Sequence, residues 1–541
     1  MNNRLKYDTL YKNAEIFTSD DRKPYCQAFA VRDGRIAWTG MEQETKAVAS
    51  LSEEVVDLGG KRVIPGIVDA HMHAVMLAGH SRMIAALPPE ILSIEMLVEE
   101  IKKKSSEVPE DEMVWIQGWG YDEGKLIEKR APLRYDLDRG SSRLPVVITR
   151  TCIHIIAVNS KAIELAGITK DTTDPEGGII GRDEEGEPNG LFYENARSLI
   201  TKHIPQPTSE DIADDLVHLD KMLTSFGLTT ISDLGEFTDC DVNSAFSSAI
   251  RKGMKTRITA YYMWNQVKKK HGFKITRQDM DPHQQYRIAG VKLIGDGSIS
   301  GRTAWGYEPF LNGEYGMPTC TEEEIEEAKA FCKANKCQLA VHAMGSKTID
   351  RVIEHVCMEK PWTEGTGPHV RIEHAAEPTK AAIDRAVRLG VGFVTQPIFL
   401  YCEIESYLDN LGQKRANQCY PIGEWIEAGV RFCFSTDAPA TSWAKPFAPF
   451  VNLKAAVLRK AWNGLDTGQE HRVDVETGIR LYTKESAGML GLTDVGMIKE
   501  GYTADFLVLD RDILKIPSEE IDQVKVLGTF IQGEKVYSYV K

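Results

Sequence analysis

Two histidines one residue apart, His71 and His73, are the first residues along the chain whose types and spacing could bind a metal ion. They end an apolar run that begins at Pro65 and is predicted to form a buried strand. If the strand continues through the pair, both imidazoles project from one face, because strand side chains alternate with a period of two. Neutral imidazoles suit zinc, iron, nickel or copper. A His-x-His pair also occurs by chance and does not complete a site, so further ligands are expected elsewhere in the chain.

The elements that must position these ligands are short apolar runs that alternate with longer amphipathic segments, which is the pattern of parallel strands joined by helices. One helix is predicted to begin after Thr321, because Thr321 and Glu324 form a capping-box pattern. Eight such strands predict an α/β fold, a closed (β/α)8 barrel of the TIM type. The candidate strands are 63–69, 228–233, 257–262, 289–294, 338–342, 370–373, 391–395 and 430–435.

Four more residues of metal-binding type stand at the ends of candidate strands, where the catalytic residues of a TIM barrel lie. Lys292 lies near the end of the fourth strand, His342 ends the fifth, His374 ends the sixth and Asp437 follows the eighth. Taken singly, such a histidine is more often a hydrogen-bonded structural residue, and such an aspartate a turn former or helix cap. Their shared placement predicts one metal site.

Lys292 is the unusual member of this set, because an ammonium inside a barrel is costly and a cation beside metal ions is repelled. A carbamate formed from CO2 on the amine would be an anion with two oxygens that can bridge two metals. The alternative is a lysine in a salt bridge with Asp296. The residues themselves leave both interpretations open.

The rest of the chain predicts two additions to the barrel. About 155 residues separate the first two candidate strands, far more than a normal crossover needs, so an α/β subdomain is expected to be inserted there. Strand-like segments at both termini, with an Asp33-Gly34 hairpin turn, predict a β-sandwich built from both ends. The predicted domains are the β-sandwich (1–62 with 493–541), the barrel (63–79 with 222–492) and the insertion (80–221).

Composition excludes several classes of function. The chain has 541 residues and a net charge of −14, which argues against a nucleic-acid partner. No apolar stretch reaches the length of a membrane span, and the N-terminus has no signal-peptide core, so no membrane partner and a cytoplasmic location are expected. The ten cysteines are scattered and are predicted to be reduced thiols without a catalytic role.

The motifs carry a family resemblance over nearly the whole chain. Those of the predicted barrel are 65–73, 291–298, 341–343, 373–375 and 435–437. Further motifs lie at 118–122, 150–154, 158–160 and 501–505. Together they resemble the metal-dependent amidohydrolase superfamily, and more narrowly the amidohydrolase family 3 branch of YtcJ-like and N-substituted formamide deformylase-like hydrolases.

The resemblance implies a barrel with a β-sandwich and a zinc centre, with two ions as the expectation and other divalent metals as alternatives. The implied ligands are His71, His73, carboxylated Lys292, His342, His374 and Asp437. It also implies that His154 reaches the site from the insertion, although this chain has Thr151-Cys152-Ile153 before it where relatives often carry Asp-Gly. Aromatic side chains predicted to line the substrate pocket are Trp119, Tyr121 and Trp305.

The chemistry implied is hydrolysis of a carbon–nitrogen bond in an amide-type small molecule by a metal-activated hydroxide. Asp437 would act as general base and then general acid, and His154 would donate a hydrogen bond to the developing oxyanion. Hydrolysis of a lactone or phosphotriester, or deamination, are alternatives on the same scaffold. A catalytically silent binding protein is the non-enzyme alternative. A homodimer is the expected assembly.

Overall fold

The computed structural model describes residues 6–151, 154–236 and 241–540. The chain divides into two compact units. The first contains Met1–Val75, Leu216–Thr441 and Phe447–Lys541, and the second contains Met76–Asp215 and Ser442–Pro446. No helix in the described ranges is long and apolar enough to cross a membrane. The domain boundaries given above stay a prediction.

Eight parallel strands of the first unit pair in sequence order as a barrel sheet. They are Ile67–Met72, Leu228–Asp233, Arg257–Met263, Tyr286–Ile294, Gln338–Ala343, Val370–His374, Gly392–Thr395 and Arg431–Phe434. The first and last strands meet at their carboxyl ends, where the Asp437 amide donates to the His71 carbonyl at 2.8 Å and the His73 amide donates to the Ala438 carbonyl at 2.8 Å. The predicted TIM-type barrel is confirmed.

The first barrel strand was predicted too early in the chain. Residues up to Pro65 belong to another strand, Ser52–Pro65, and the barrel strand begins at Ile67. Gly66 separates the two, and a Cβ atom there would lie 2.3 Å from the Thr229 hydroxyl oxygen. A side chain at this position would clash with the Thr229 side chain unless Thr229 moved.

Helices of the first unit surround these strands. They are Thr45–Ala49, Val242–Arg251, Trp264–Val267, Glu322–Asn335, Ser346–Val356, Lys380–Leu389, Ile398–Cys402, Ile404–Leu411, Gln413–Asn417, Ile422–Ala428, Pro449–Leu458, Val475–Leu481 and Lys484–Met489. Ala74–His80 and Ser209–Ser225 run across the unit boundaries. The predicted capping box is confirmed, because the Glu324 amide donates to the Thr321 hydroxyl at 3.1 Å and the Thr321 amide donates to the Glu324 carboxylate at 3.2 Å.

Both termini contribute to one eight-stranded sheet, as predicted. Its strands are Tyr7–Phe17, Tyr25–Cys26, Ala28–Arg32, Arg35–Gly40, Ser52–Pro65, Phe506–Leu509, Val526–Ile531 and Glu534–Ser538. Ser52–Pro65 pairs in antiparallel fashion with Phe506–Leu509 and so joins the two ends of the chain. The predicted hairpin turn is present, with Asp33 at φ 52° and Gly34 at φ 71°. The sandwich arrangement of this sheet stays a prediction.

The second unit has its own six-stranded sheet and its own core. The strands are Ile84–Ala85, Ile116–Tyr121, Val146–Arg150, Ile155–Val158, Gly178–Arg182 and Pro188–Glu194. Its helices are Ile94–Ser106, Arg134–Gly140, Ser160–Leu165 and Ser198–Thr201. The first three strands are parallel and the others pair in antiparallel fashion, so the unit is a mixed α/β structure.

Candidate active site

Asp437 is the centre of the side chains that meet at the carboxyl ends of the barrel strands. Its Oδ1 atom lies 3.1 Å from Nε2 of His71 and 3.4 Å from Nε2 of His73, and its Oδ2 atom lies 4.0 Å from Nδ1 of His374. All four residues are buried. Ligand atoms of His71, His374 and Asp437 lie within 4.8 Å of one another, which is close enough for one metal ion.

His342 and Lys292 adjoin this cluster. The ring centroid of His342 lies 4.4 Å from that of His374. Lys292 is 1% exposed, and burial lowers its pKa to about 8 against the opposing effect of the Glu373 and Asp437 carboxylates. The fourth and fifth strands thus place their predicted ligands beside those of the first, sixth and eighth.

The two histidines of the first strand are each oriented by their Nδ1 atom. His71 Nδ1 lies 2.6 Å from the Glu373 carboxylate, and His73 Nδ1 donates to the Gly235 carbonyl at 2.8 Å. Since Nδ1 is the donor in both rings, the Nε2 lone pair of each faces Asp437. A hydrogen bond from the second nitrogen is the usual way in which a protein fixes a metal-binding imidazole.

His374 and His342 are oriented in a similar way but by different nitrogens. His374 Nδ1 lies 2.8 Å from Oε1 of Gln396, whose amide nitrogen donates to the Ser435 hydroxyl at 2.7 Å. His342 instead donates from Nε2 to the Gly297 carbonyl at 2.9 Å. A carbonyl oxygen only accepts hydrogen bonds, so Nδ1 of His342 carries the free lone pair.

Two atoms of the cluster show that the residues fit a cation. Among the residues that the structure describes, neither Nε2 of His71 nor Oδ1 of Asp437 has a hydrogen-bond partner, and both atoms are buried. They are lone-pair donors 3.1 Å apart. Buried polar groups are normally satisfied, and a metal ion bound by both atoms would satisfy this pair.

The protonation states of His342, His374 and Asp437 also suit a metal. By contrast, the Asp437 carboxylate outweighs the effect of burial on His73 and raises the pKa of that residue. Burial lowers the pKa of His342 to about 4, and burial with the nearby His342 holds the pKa of His374 well below its usual range. Burial alone would raise the pKa of Asp437, but the neighbouring histidines, His71 first, outweigh it and hold that pKa well below the usual range. Neutral imidazoles and an ionised carboxylate are the forms that bind metals.

Arg371 and Glu373 form a buried ion pair behind His71 that was not predicted to belong to the site. Two nitrogens of the guanidinium lie 2.5 and 2.9 Å from the two carboxylate oxygens, and both side chains are fully buried. Arg371 also donates to the Ala70 carbonyl at 2.6 Å and to the Tyr261 hydroxyl at 3.0 Å. The sequence pattern that could have indicated this pair is the spacing of Arg371 and Glu373, two residues apart and so on one face of the strand.

Buried aspartates fix the backbone beneath the ligands. Asp69 accepts the Thr436 hydroxyl at 2.6 Å and the His71 amide at 3.1 Å, which ties the first strand to the loop that carries Asp437. Asp233 accepts the Gly235 amide at 3.0 Å and so positions the carbonyl that orients His73. Both aspartates were available as polar residues at strand ends but were not predicted.

Asp296 has the same role between the fourth and fifth strands. Its carboxylate accepts the backbone amides of Met344, Gly345 and Trp305 at 2.9 to 3.0 Å. Among the described residues, no ion pair of 4.0 Å or less joins Asp296 to Lys292. The alternative interpretation of Lys292 as a salt-bridge partner of Asp296 therefore loses its support.

Two of the ligands have unusual backbone conformations. His374 has φ 74° and Asp437 has φ 54°, in the left-handed region that residues with a Cβ atom rarely occupy. Such a conformation costs on the order of 1 kcal/mol or more and persists where surrounding contacts fix it. Here the Asp437 amide is held by the His71 carbonyl. Strain of this kind is concentrated at functional sites.

The other predicted site residues are divided between the two units. Trp305, in the first unit, lies beside Lys347, whose Nζ is 5.5 Å from the ring centroid. His154 lies in the second unit, with Nδ1 2.8 Å from the Glu194 carboxylate and its side chain 61% exposed. Of the segment Thr151-Cys152-Ile153, in which a departure from relatives was expected, residues 152 and 153 lie outside the described residues.

The two aromatic residues predicted from the insertion also belong to the second unit. Trp119 stacks on His80 with ring centroids 4.9 Å apart, and Tyr121 is fully buried in the core of that unit. The roles of Trp119, Tyr121, Trp305 and His154 in substrate binding stay predictions.

Comparison with known proteins gives matches along nearly the whole chain. A family model described as "Amidohydrolase family" matches residues 54–537. The putative amidohydrolase YtcJ of Bacillus subtilis is 29% identical, over 96% of this chain and 98% of that protein. N-substituted formamide deformylase of Arthrobacter pascens is 26% identical over 97% of each chain. The crystal structure of an uncharacterized metal-dependent hydrolase from Pyrococcus furiosus is 27% identical with a TM-score of 0.71, covering 94% of this chain and 100% of that one.

Proposed function

Because this chain belongs to the amidohydrolase family, we propose that it is a metal-dependent hydrolase that cleaves a carbon–nitrogen bond in a small amide-type molecule. The branch predicted from the motifs is confirmed by the matches to YtcJ and N-substituted formamide deformylase. The observation that carries the proposal is the meeting of three histidines around the buried carboxylate of Asp437.

The proposed metal is zinc, bound as two ions. Imidazole nitrogens and carboxylate oxygens are the ligands that zinc prefers at catalytic sites. The protein ligands would be His71, His73, Lys292, His342, His374 and Asp437. Zinc supplies two effects when bound, because it lowers the pKa of a water ligand towards 7 and polarises a carbonyl oxygen.

Lys292 is proposed to carry a carbamate, whose oxygens would help to hold the metal ions. In its formation the ammonium first loses a proton to water. The neutral amine then attacks the carbon of CO2, a nitrogen–carbon bond forms as one C=O π bond breaks, and a second proton leaves the nitrogen to water. The side chain thereby changes from a cation to an anion with two ligand oxygens. Two observations support this, namely the burial of Lys292 to 1% exposure and its lack of an ion pair with Asp296 in the described part of the chain.

Asp437 is proposed to move the proton during hydrolysis. Its carboxylate is ionised in the buried site and stands between the histidines of the first and sixth strands, so it can accept the proton of the attacking water. The same group then delivers this proton to the nitrogen of the departing amine. His154 is proposed to donate a hydrogen bond to the developing oxyanion, and Trp119, Tyr121 and Trp305 to line the substrate pocket.

Metal analysis and a substrate panel test the function. Protein purified without chelators should contain close to two zinc equivalents per chain, and it should hydrolyse at least one member of a panel of N-formyl, N-acyl and cyclic amides. Removal of the metal should abolish that activity, and added zinc should restore it. A correctly folded protein with almost no metal, and no activity after zinc is supplied, would contradict the proposal.

The carbamate is tested by replacing Lys292. Lys292→Ala should lose metal and activity, and short carboxylic acids such as acetate or propionate should restore part of both, because they supply the missing oxygens. The matched control is Lys329→Ala, which removes another buried lysine that is already paired with Glu326 at 2.7 Å outside the site. Full metal content and activity in Lys292→Ala would refute the carbamate.

A further inference from the structure

A cavity lies at the opposite end of the barrel from the proposed metal ligands. It has a volume of about 760 Å3 and is lined by residues at the amino ends of the fourth and fifth strands, among them Arg287 and Gln338. We call it the basal cavity. Arg287 precedes Lys292 by five residues on one strand, which corresponds to about 16 Å. The basal cavity is therefore distinct from the metal cluster.

The basal cavity is positively charged in a strongly acidic protein. Four cationic side chains and two carboxylates line it, whereas the whole chain has a net charge of −14. The lining charges are Lys274, Arg277, Arg287, Lys336, Asp281 and Glu364. Glu364 offsets only one of two positive charges, since its single carboxylate is shared by the Arg277 guanidinium at 2.9 Å and Lys336 Nζ at 2.6 Å.

Arg287 is the buried cation of this lining, since Lys274, Arg277 and Lys336 are exposed. It is 6% exposed, and it donates only to neutral oxygens, namely the Thr259 hydroxyl at 3.3 Å, the Met280 carbonyl at 3.3 Å and the Leu490 carbonyl. No carboxylate in the described ranges lies within 4.0 Å of its guanidinium. A buried charge without an opposite charge is costly, so a protein that keeps one has a reason to do so.

Part of the remaining wall of the basal cavity is apolar and indicates the rest of the ligand. Ile275, Met280, Pro282, Ala289 and Leu490 contribute to the lining. The volume lies within the range of about 300–1,000 Å3 that is typical of small-molecule sites. A ligand that suits this cavity has an anionic group for the guanidinium and an apolar body for the opposite wall.

We propose that the basal cavity binds a small organic anion, with the guanidinium of Arg287 as the partner of its carboxylate or phosphate group. Lys274 and Lys336 stand at the exposed rim and attract the anion. The site is separate from the metal centre and does not depend on the proposed hydrolysis.

Titration with a fluorescent anion tests the proposal. The probe is 8-anilino-1-naphthalenesulfonate, which combines a sulfonate with an aromatic body and is added to the zinc-loaded protein. We expect a saturable site with one probe per chain, at least tenfold weaker binding to Arg287→Met, and weaker binding as sodium chloride rises. Displacement by phenyl phosphate or by benzoate then shows whether phosphate or carboxylate is the preferred group. Displacement by neither would overturn the proposal.

The matched control is Arg431→Met. Arg431 also begins a barrel strand and also donates to carbonyl oxygens, those of Thr366 and Gly488, but it does not line the basal cavity. Probe binding should be unchanged in this variant, and an equal loss in both arginine variants would refute a specific site.

A second variant covers the case in which Arg287→Met does not fold. Lys274→Gln with Lys336→Gln changes only exposed side chains and should weaken the probe several-fold. Unaltered affinity in the folded double variant would contradict the proposed electrostatic attraction.

Discussion

Arg371 and Arg287 are both buried within the barrel, but Arg371 is bonded to Glu373 near the carboxyl ends of the strands, whereas Arg287 lies at the amino end of the fourth strand. Arg371 lies 2.5 Å from the Glu373 carboxylate, which lies in turn 2.6 Å from His71, a proposed metal ligand. Arg287 has only neutral oxygens within hydrogen-bond distance. Burial would lower the pKa of both guanidinium groups, and for Arg371 the carboxylate of Glu373 reverses this effect and raises it.

This difference separates two ways of using buried charge. At the carboxyl ends of the strands, the protein supplies its own counter-charges and hydrogen bonds, so each ligand is held in one orientation before a metal binds. At the amino ends, the protein leaves a cation without its partner beside a cavity. The first arrangement is what a preorganised catalytic site requires, and the second is what an anion-binding site requires.

A short series of hydrogen bonds between side chains crosses the barrel between these two ends. The Tyr261 hydroxyl donates to Oε1 of Gln338 at 2.5 Å and accepts from Nη1 of Arg371 at 3.0 Å. Gln338 lines the basal cavity, and Arg371 supports His71 through Glu373. The two ends are therefore in physical contact, and substitutions along this series can test how independent they are.

The largest effect is expected from removing the central charge of the metal end. Asp437→Asn keeps the shape of the side chain but removes the charge that faces His71 and His73, and an amide cannot accept the proton of the attacking water. Turnover of the best amide in the substrate panel should fall by about a thousandfold, the range lost with a general base. Zinc content should also fall, as measured by metal analysis of the same sample.

Asp409→Asn is the control for this change. Asp409 is an exposed residue on the helix Ile404–Leu411, so the same chemical change there should leave turnover and zinc content at the wild-type level. Turnover of Asp437→Asn within tenfold of the wild-type value would show that another group moves the proton.

An intermediate effect is expected from making Arg371 resemble Arg287. Glu373→Gln removes the counter-charge of Arg371 and weakens the hydrogen bond that orients His71. Breaking a buried ion pair in this way costs about 3–5 kcal/mol of stability. Losing the support of a metal-binding histidine costs about 10- to 100-fold in metal affinity. Unfolding in urea measures the first quantity, and zinc competition with a chelator measures the second.

Glu377→Gln is the control that separates the loss of stability from the loss of zinc affinity expected for Glu373→Gln. Glu377 pairs with Arg415 at 2.6 Å, and neither residue is hydrogen-bonded to a metal ligand. Its replacement should lower stability by a smaller amount and leave the zinc affinity unchanged. Zinc affinity of Glu373→Gln equal to that of the wild type would mean that His71 does not need this carboxylate.

Much of the barrel was predictable from the sequence because its strands are apolar runs that end in polar residues. The period-two pattern and the eight runs indicate the strands, and the positions of Lys292, His342, His374 and Asp437 at strand ends indicate one site. The start of the first strand was misplaced, since the apolar run within residues 63–69 is continuous although Ser52–Pro65 and Ile67–Met72 are separate strands. Gly66, which packs against Thr229, lies between them.

The supporting residues were not predictable in the same way. Gln396 follows the seventh strand, but glutamine is not a residue type that suggests a metal site. Glu373 lies next to His374, and the histidine alone was predicted as the functional residue of that motif. The role of Arg287 depends on which loops close the amino end of the barrel, and a single sequence does not show which residues surround a buried charge. Local pattern specifies where a side chain stands, whereas its partners come from distant segments.

The smallest effect is expected at Tyr261, in the middle of the series of hydrogen bonds that joins the two ends of the barrel. Tyr261→Phe removes one hydroxyl and leaves Oε1 of Gln338 without its donor, which should cost about 1–2 kcal/mol of stability in urea unfolding. Arg371 keeps its bonds to Glu373 and to the Ala70 carbonyl, so zinc affinity should change less than about threefold. Tyr286→Phe is the control, because its hydroxyl is bonded to Asn243, which does not belong to this series of hydrogen bonds. A fall in zinc affinity as large as that of Glu373→Gln would show that the orientation of His71 depends on the amino end of the barrel, and that the two ends act as one unit.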